Sequence, residues 1–349
     1  MNVLHKLIEK EPLLEWPIKY CLAVTATTYI LSLLTGNVSQ VDKVWTFLPA
    51  IYTAYYALLP LWPSSAPAYF FPYVPNEVNK SISGNFSPRA LLMLALVLTW
   101  MCRLSYNTWR RGLYSSKEED YRWAILRQKI PTWLFQIFNL TFIAIAQNIL
   151  LFLLGIPTMM AVAEPHTHLG TPDYVLASLG FATLFAEFVA DNQQYSFQTF
   201  KRSGVLEKNE WSGARIPWTK RDAERGFATR GLWAWSRHPN FFCEQLFWII
   251  INLFPLLSSG IPSSASLGVV VRLAPCLLLC LLFFSSTKFT ESISLSKYPV
   301  AYAAYQQRVG MFDPFQTPIR GVWLKLQGTK TAVDELVYGQ DTGKVKKVE

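Results

Sequence analysis

The chain is 349 residues long, with 51% hydrophobic and 15% aromatic residues but only 16% charged ones. That balance is too apolar for an ordinary water-soluble protein and suits one whose surface largely faces lipid. The formal net charge of +9 does not point to nucleic acid, because the basic residues form no tract; they fall mainly between apolar segments, where anchors to anionic lipid and contacts to a phosphorylated cofactor are expected.

Residues 1–17 are charged and lack an apolar core followed by a small-residue cleavage site, so no removable signal peptide is read there. Candidate spans then follow at roughly 20–34, 44–61, 90–106, 133–154, 174–190, 241–257 and 267–284. The first is short and rich in threonine. No stretch alternates long enough for a membrane β-barrel. The expected fold class is therefore an all-α membrane protein of about seven transmembrane helices. Residues 1–320 would form the multi-pass domain and residues 321–349 a cytosolic C-terminal tail.

The loops orient these spans. Residues 107–132 carry Arg110, Arg111, Lys117, Arg122, Arg127 and Lys129, and residues 191–240 carry Lys201, Arg202, Lys208, Arg215, Lys220, Arg221, Arg225, Arg230 and Arg237. Residues 155–173 and 258–266 contain no Lys or Arg. Excess positive charge stays cytosolic, so the first two loops are predicted cytosolic and the other two lumenal. Seven spans then put the N-terminus in the lumen, against the pull of Lys6, Lys10 and Lys19. Two glycosylation triplets, Asn79-Lys80-Ser81 and Asn85-Phe86-Ser87, fall on the predicted lumenal side. The last residues, Lys346, Lys347, Val348 and Glu349, match the dilysine address that coat proteins read on endoplasmic-reticulum membrane proteins; the alternative is a charged, disordered end.

Four polar clusters interrupt the apolar pattern. Trp100, Arg103 and Tyr106 close the third segment, with Arg103 placed to snorkel. Glu187, Asp191 and Gln194, at i, i+4 and i+7, share one helix face at the end of a long apolar run, where carboxylates are expensive and default to a functional reading. Ser236-Arg237-His238-Pro239-Asn240 precedes the sixth segment; Pro239 suits a first helical turn, and Asn240, Glu244, Phe247 and Trp248 fall on one face. Such a helix start, with Arg237 and His238 beside it, makes a good phosphate site, the alternative being plain headgroup anchoring. Last come Lys288 and Glu291, then Tyr298, Tyr302 and Tyr305 in a stripe that reads equally as an interfacial belt or as cofactor contacts.

No Walker loop, Rossmann glycine fingerprint, zinc-like cysteine pairing, metal site or GxSxG elbow is present. The five cysteines lie in or beside apolar stretches without disulfide spacing. His5, His166, His168 and His238 are too few for a di-iron histidine-box enzyme.

At these residues the chain resembles the steroid 5-alpha reductase C-terminal-like family, in its broad and largely uncharacterised branch. The resemblance runs from Asp42 and Trp45 through Trp100, Arg103, Glu119-Asp120-Tyr121-Arg122, Glu187, Ala190-Asp191 and Gln193. It continues through Gly231-Leu232-Trp233, Ser236 to Asn240, Glu244 and Trp248 to Glu291, Tyr302 and Tyr305. Its motifs concentrate in residues 174–315. It implies a steroid-reductase-like helical bundle with an NADPH pocket open to the cytosol and a lipid substrate entering between helices. Cofactor-binding positions would be Glu187, Asp191, Arg237, His238, Asn240, Glu244 and Glu291, with no metal. The chain departs from the family at Phe241, where Tyr is common, at Cys243, where Gly is common, and at Gln194, where Lys often stands. Phe241 lacks the hydroxyl of a proton donor.

The expected function is NADPH-dependent reduction of a C=C bond in a sterol-like or polyprenyl-like lipid in the endoplasmic-reticulum membrane, with Tyr106, Tyr302 and Tyr305 as candidate catalytic donors. The rival is an S-adenosylmethionine-dependent methyltransferase of the isoprenylcysteine carboxyl or phospholipid type, which the chain resembles through Arg237-His238-Pro239, Glu291, Tyr302 and Tyr305. Such enzymes favour a second Glu beside the late one, where this chain has Ser292. A third reading is a non-catalytic lipid-binding membrane protein. The expected partners are the bilayer, a hydrophobic lipid substrate and the coat proteins that read Lys346 and Lys347, with no nucleic acid.

Overall fold

The structure, a computed structural model, describes residues 2–68, 70–206, 210–258 and 267–339. Lys208, Lys346, Lys347 and most of loop 258–266 lie outside the described residues. In chain order the helices that frame the fold are α1 (Glu15–Thr35), α2 (Gln40–Val44), α3 (Leu48–Ala57), α4 (Pro88–Arg110), α5 (Thr132–Ala163) and α6 (Thr171–Ser203). They continue with α7 (Lys220–Arg225), α8 (Pro239–Ser258), α9 (Leu267–Lys297), α10 (Pro299–Arg308), α11 (Gln316–Leu326) and α12 (Lys330–Tyr338). Among the described residues six of these, α1, α4, α5, α6, α8 and α9, are long and apolar enough to cross a membrane. Helices satisfy their own backbone hydrogen bonds, which lipid demands. The protein is an all-α, multi-pass membrane protein.

The predicted span 44–61 is broken. Its helical part, α3, has ten residues and so rises about 15 Å, half the hydrocarbon thickness. Pro49 opens α3, and Pro60 sits in the tight turn Leu59–Leu61 beyond it.

Residues 1–181 and 248–280 form one compact unit, and within it the broken segment still runs from end to end. At one end Trp16 stacks on Tyr55 at 4.6 Å, Trp62 Nε1 donates to Tyr55 O, and Tyr73 donates to Glu15. Ala90 and Val162 pack into the same aromatic cluster. At the other end Thr46 Oγ1 lies 2.8 Å from Tyr114 Oη, and Asn37 Nδ2 donates to the carbonyl oxygens of Ser116 and Glu118. The start of α1 therefore shares its end with the starts of α4 and α6, where Arg89 grips Asp173 through two hydrogen bonds of 2.7 and 3.1 Å. Segment 40–61, whose helical part is too short to count among the six candidate spans, runs between the same two ends as α1 and α4. It also puts the start of α1 at the end opposite the basic loop 111–131, despite the nearby lysines. Cysteines placed at exposed Thr35 and Asn85, on either side of the segment, are accordingly expected to label from opposite sides of sealed vesicles; labelling of both from one side would show that segment 40–61 does not cross.

A polar seam joins α1 to α5. Asn148 Nδ2 donates to Thr28 Oγ1 at 3.1 Å, and Asn139 Nδ2 to Ser32 Oγ at 2.9 Å. Such bonds between helices replace the hydrophobic drive that lipid cannot supply. Gly155 is required where α5 meets α3, because a Cβ there would stand 2.6 Å from Tyr52 Cβ. Arg103 is buried rather than snorkelling outward.

Residues 182–247 and 281–349 form the second unit. Its basic loop is folded. Phe197, Ile216, Trp218, Ala228 and Trp233 make a small core, and Thr219 and Asp222 close a capping box on α7. Asp222 pairs with both Arg225 and Arg230, and Lys201 Nζ donates to Gly226 O. These basic residues, read from sequence as lipid anchors, hold the loop together instead. Residues 321–339, predicted to be a tail, are mostly helical: Leu324, Val333 and Val337 pack with Tyr302, Tyr305 and Val309 into a second core. The helical spacing of Val333 and Val337 turns both toward that core.

Candidate functional site

The middle of α6 carries Glu187 and Asp191, since the helix runs on to Ser203, and the first turns of α8 carry Asn240 and Glu244, each pair one helical turn apart. Pro239 sits at the head of α8, as the sequence predicts. All three carboxylates are buried, Glu187 to 2% exposure, and Asn240 Nδ2 donates to Asp191 Oδ1 at 3.3 Å. Asn240 Oδ1 is a buried acceptor that receives no hydrogen bond, as is Gln194 Oε1 nearby in sequence. Four acceptor-bearing side chains on two helices thus form a group rich in oxygen.

Beside it lies a closed network. Arg237 Nε and Nη2 clasp the Glu291 carboxylate at 2.7 and 3.1 Å, while Nη1 donates to the carbonyl oxygens of Gln306 and Val309. His238 Nε2 lies 3.0 Å from Glu291 Oε1, and Gln306 Nε2 donates to Glu291 Oε2. Four of the five Arg237 N–H groups are thereby committed. The head of α8 is anchored as well: Arg237 N donates to Gly310 O and His238 N to Met311 O. The ring of Phe241 packs against His238 and Phe283, which gives the tyrosine-to-phenylalanine departure an apolar setting.

A third set fixes the wall around Ala190 and Gln193 of α6. Gln193 Oε1 accepts from Leu232 N at 2.9 Å, Trp233 Nε1 donates to Ala190 O, and Tyr305 donates its hydroxyl to Trp233 O at 2.5 Å. Gly231, at φ +64°, lets the chain turn close to Gln193, whose Oε1 would lie 2.6 Å from an added Cβ.

The structure therefore brings Glu187, Asp191, Arg237, His238, Asn240, Glu244 and Glu291 into one unit, divided between an acceptor group and an ion-pair network. Tyr302 and Tyr305 belong to the buried core, so their stripe is neither an interfacial belt nor an open surface. Burial pushes both hydroxyl pKa values up. Tyr106 belongs to the first unit and is half-exposed, with the Arg110 guanidinium 5.1 Å from its ring centre. Sequence reasoning did not single out Gln306 or the tie from Tyr305 to Trp233. Neither has a motif, because each depends on how α10 packs. Among the described residues no group of three or more His, Cys, Asp or Glu is placed to hold a metal ion.

Burial pushes the His238 pKa down, and Arg237 adds to this, while Glu291 pulls it up without restoring the ordinary value. A base whose folded pKa is depressed binds fewer protons folded than unfolded, so stability falls as pH drops through the unfolded value of about 6.5. Thermal unfolding in detergent is expected to show this loss, and His238→Phe to reduce it. An unchanged acid dependence in that variant would assign the effect elsewhere.

Fold and site together define a multi-pass, all-α membrane protein with a buried acceptor group on two neighbouring helices. The chain belongs to the DUF1295 family, described as proteins of unknown function, whose model matches residues 28–309 and so spans both networks. It is similar to the uncharacterized protein C594.04c of Schizosaccharomyces pombe, with 33% identity over 285 residues covering 81% of this chain and 74% of that protein. No solved structure matches the chain.

Proposed function

We propose that this protein is a steroid 5-alpha reductase-like enzyme of the endoplasmic-reticulum membrane, using NADPH to reduce a C=C bond in a sterol-like or polyprenyl-like lipid. The carrying observation is the buried Oδ1 of Asn240, which receives no hydrogen bond among the described residues and sits one turn from Glu244 and beside Asp191. A buried acceptor oxygen in a membrane protein is costly unless a donor meets it, and the ribose hydroxyls and carboxamide of NADPH are such donors. When bound, the reduced nicotinamide would supply hydride to the double bond. Asp191 and Asn240 would bind and orient it, and Arg237, through Glu291 and His238, would position the head of α8. One Arg237 N–H remains for a phosphate oxygen. The dilysine at Lys346 and Lys347 supports the proposed compartment.

S-adenosylmethionine is the second reading, favoured by the same carboxylates, since its sulfonium and ammonium groups are cationic. Titration of the purified protein in detergent with each ligand separates the two. NADPH binding without S-adenosylmethionine binding is the expected result; binding of S-adenosylmethionine alone makes the protein a methyltransferase, and binding of neither leaves lipid binding as its function.

A further inference from the structure

We infer that α11 is an interfacial helix whose exposed apolar stripe is buried in the lipid of the same membrane that the protein crosses. The stripe consists of Phe315, Ile319, Val322, Trp323 and Leu326, each between 60% and 78% exposed within the folded chain. Their spacing of i, i+4, i+7, i+8 and i+11 places them on one face at about 100° per residue. The opposite face is the one the protein covers: Thr317, Gly321 and Leu324 are buried against the rest of the second unit. So large an unpartnered apolar patch is a liability in water and marks a docking surface.

Two observations identify lipid as what covers it. The first is position. Thr317 Oγ1 donates to Trp235 O at 2.5 Å, and Trp235, itself more than half exposed, lies four residues before Pro239, where the membrane-crossing part of α8 begins. The start of α11 is thus pinned to the chain four residues before the first residue of the α8 span. The second is charge. Arg320 lies on one flank of the stripe and Lys325 on the other, which is the disposition that sets an amphipathic helix into the headgroup boundary with cations against anionic lipid. Trp323, at the edge of the stripe toward Arg320, suits that boundary, where an apolar ring with one N–H donor is favoured.

Rigid docking keeps α11 at this depth. Arg308 Nη1 donates to Thr317 O, Arg320 Nη1 donates to Gln306 O at 2.7 Å, and Gly321 lies against the Arg308 guanidinium. Gln306 and Arg308 flank the network around Glu291, so the stripe is continuous with the support of the candidate site. The inference does not depend on which cofactor that site takes.

The test places a photoreactive p-benzoylphenylalanine at Val322 or at Ile319 of the full chain. The chain is then reconstituted in phosphatidylcholine vesicles with about 30% phosphatidylserine, which supplies an anionic surface. Position Lys220, whose side chain is 85% exposed on α7, serves as the aqueous control. Illumination is expected to attach lipid at 322 and 319 several-fold more than at 220. Cross-linking of 322 to a second copy of the chain would identify the stripe as a dimer surface and overturn the inference. Lipid attachment no higher than at Lys220 would also overturn it.

Discussion

Arg237→Ala is expected to be the most damaging single substitution in the second unit. It strips the Glu291 carboxylate of a two-pronged partner at 2.7 and 3.1 Å and removes the Arg237 donor from the carbonyl oxygen of Val309. Both charged side chains are about 5% exposed. Removing the cation from a buried pair costs about 3–5 kcal/mol, and the His238 and Gln306 contacts that Glu291 keeps put the expected loss at the lower end of that range. The midpoint of thermal unfolding in detergent should fall by on the order of 10 °C. Arg237→Lys should recover only part of the loss, since an ammonium cannot reproduce the planar fork. Glu291→Gln with Arg237→Ala should be less harmful than the sum of the single changes, because no isolated carboxylate remains. Full additivity would show that the two residues act independently.

Asn240→Ala and Glu244→Ala are expected to weaken NADPH binding by about 1–3 kcal/mol each, roughly five- to 150-fold in Kd, while leaving expression and membrane insertion little changed. Asn240→Ala removes a buried acceptor that receives no hydrogen bond within the protein, so its loss should cost the ligand more than the fold. It also frees Asp191 Oδ1 of the Asn240 amide, and Asp191→Asn should therefore couple to it in a double-mutant cycle. Isothermal titration of detergent-solubilised protein measures both effects. Normal NADPH affinity in both variants would mean that the acceptor group serves another ligand and would end the reductase reading.

Six membrane helices, the helix start at Pro239 and the polar faces Glu187 with Asp191 and Asn240 with Glu244 were legible in the sequence, because each follows from hydropathy, proline chemistry or the 3.6-residue period alone. The break in segment 44–61 was not, since an apolar run of that length reads as one span whether or not its helix is continuous; packing of Trp16, Tyr55 and Ala90 ties one end of it to the starts of α1 and α4. The roles of the charged and aromatic residues depended on tertiary structure. Arg237 and Glu291 are 54 residues apart, and nothing local shows that one neutralises the other. Tyr302 and Tyr305 keep their stripe spacing, yet residues 321–339 fold over them and make them core. A helical face says which side chains point the same way, but only the partner packed against that face decides whether an arginine meets phosphate, lipid or a buried carboxylate.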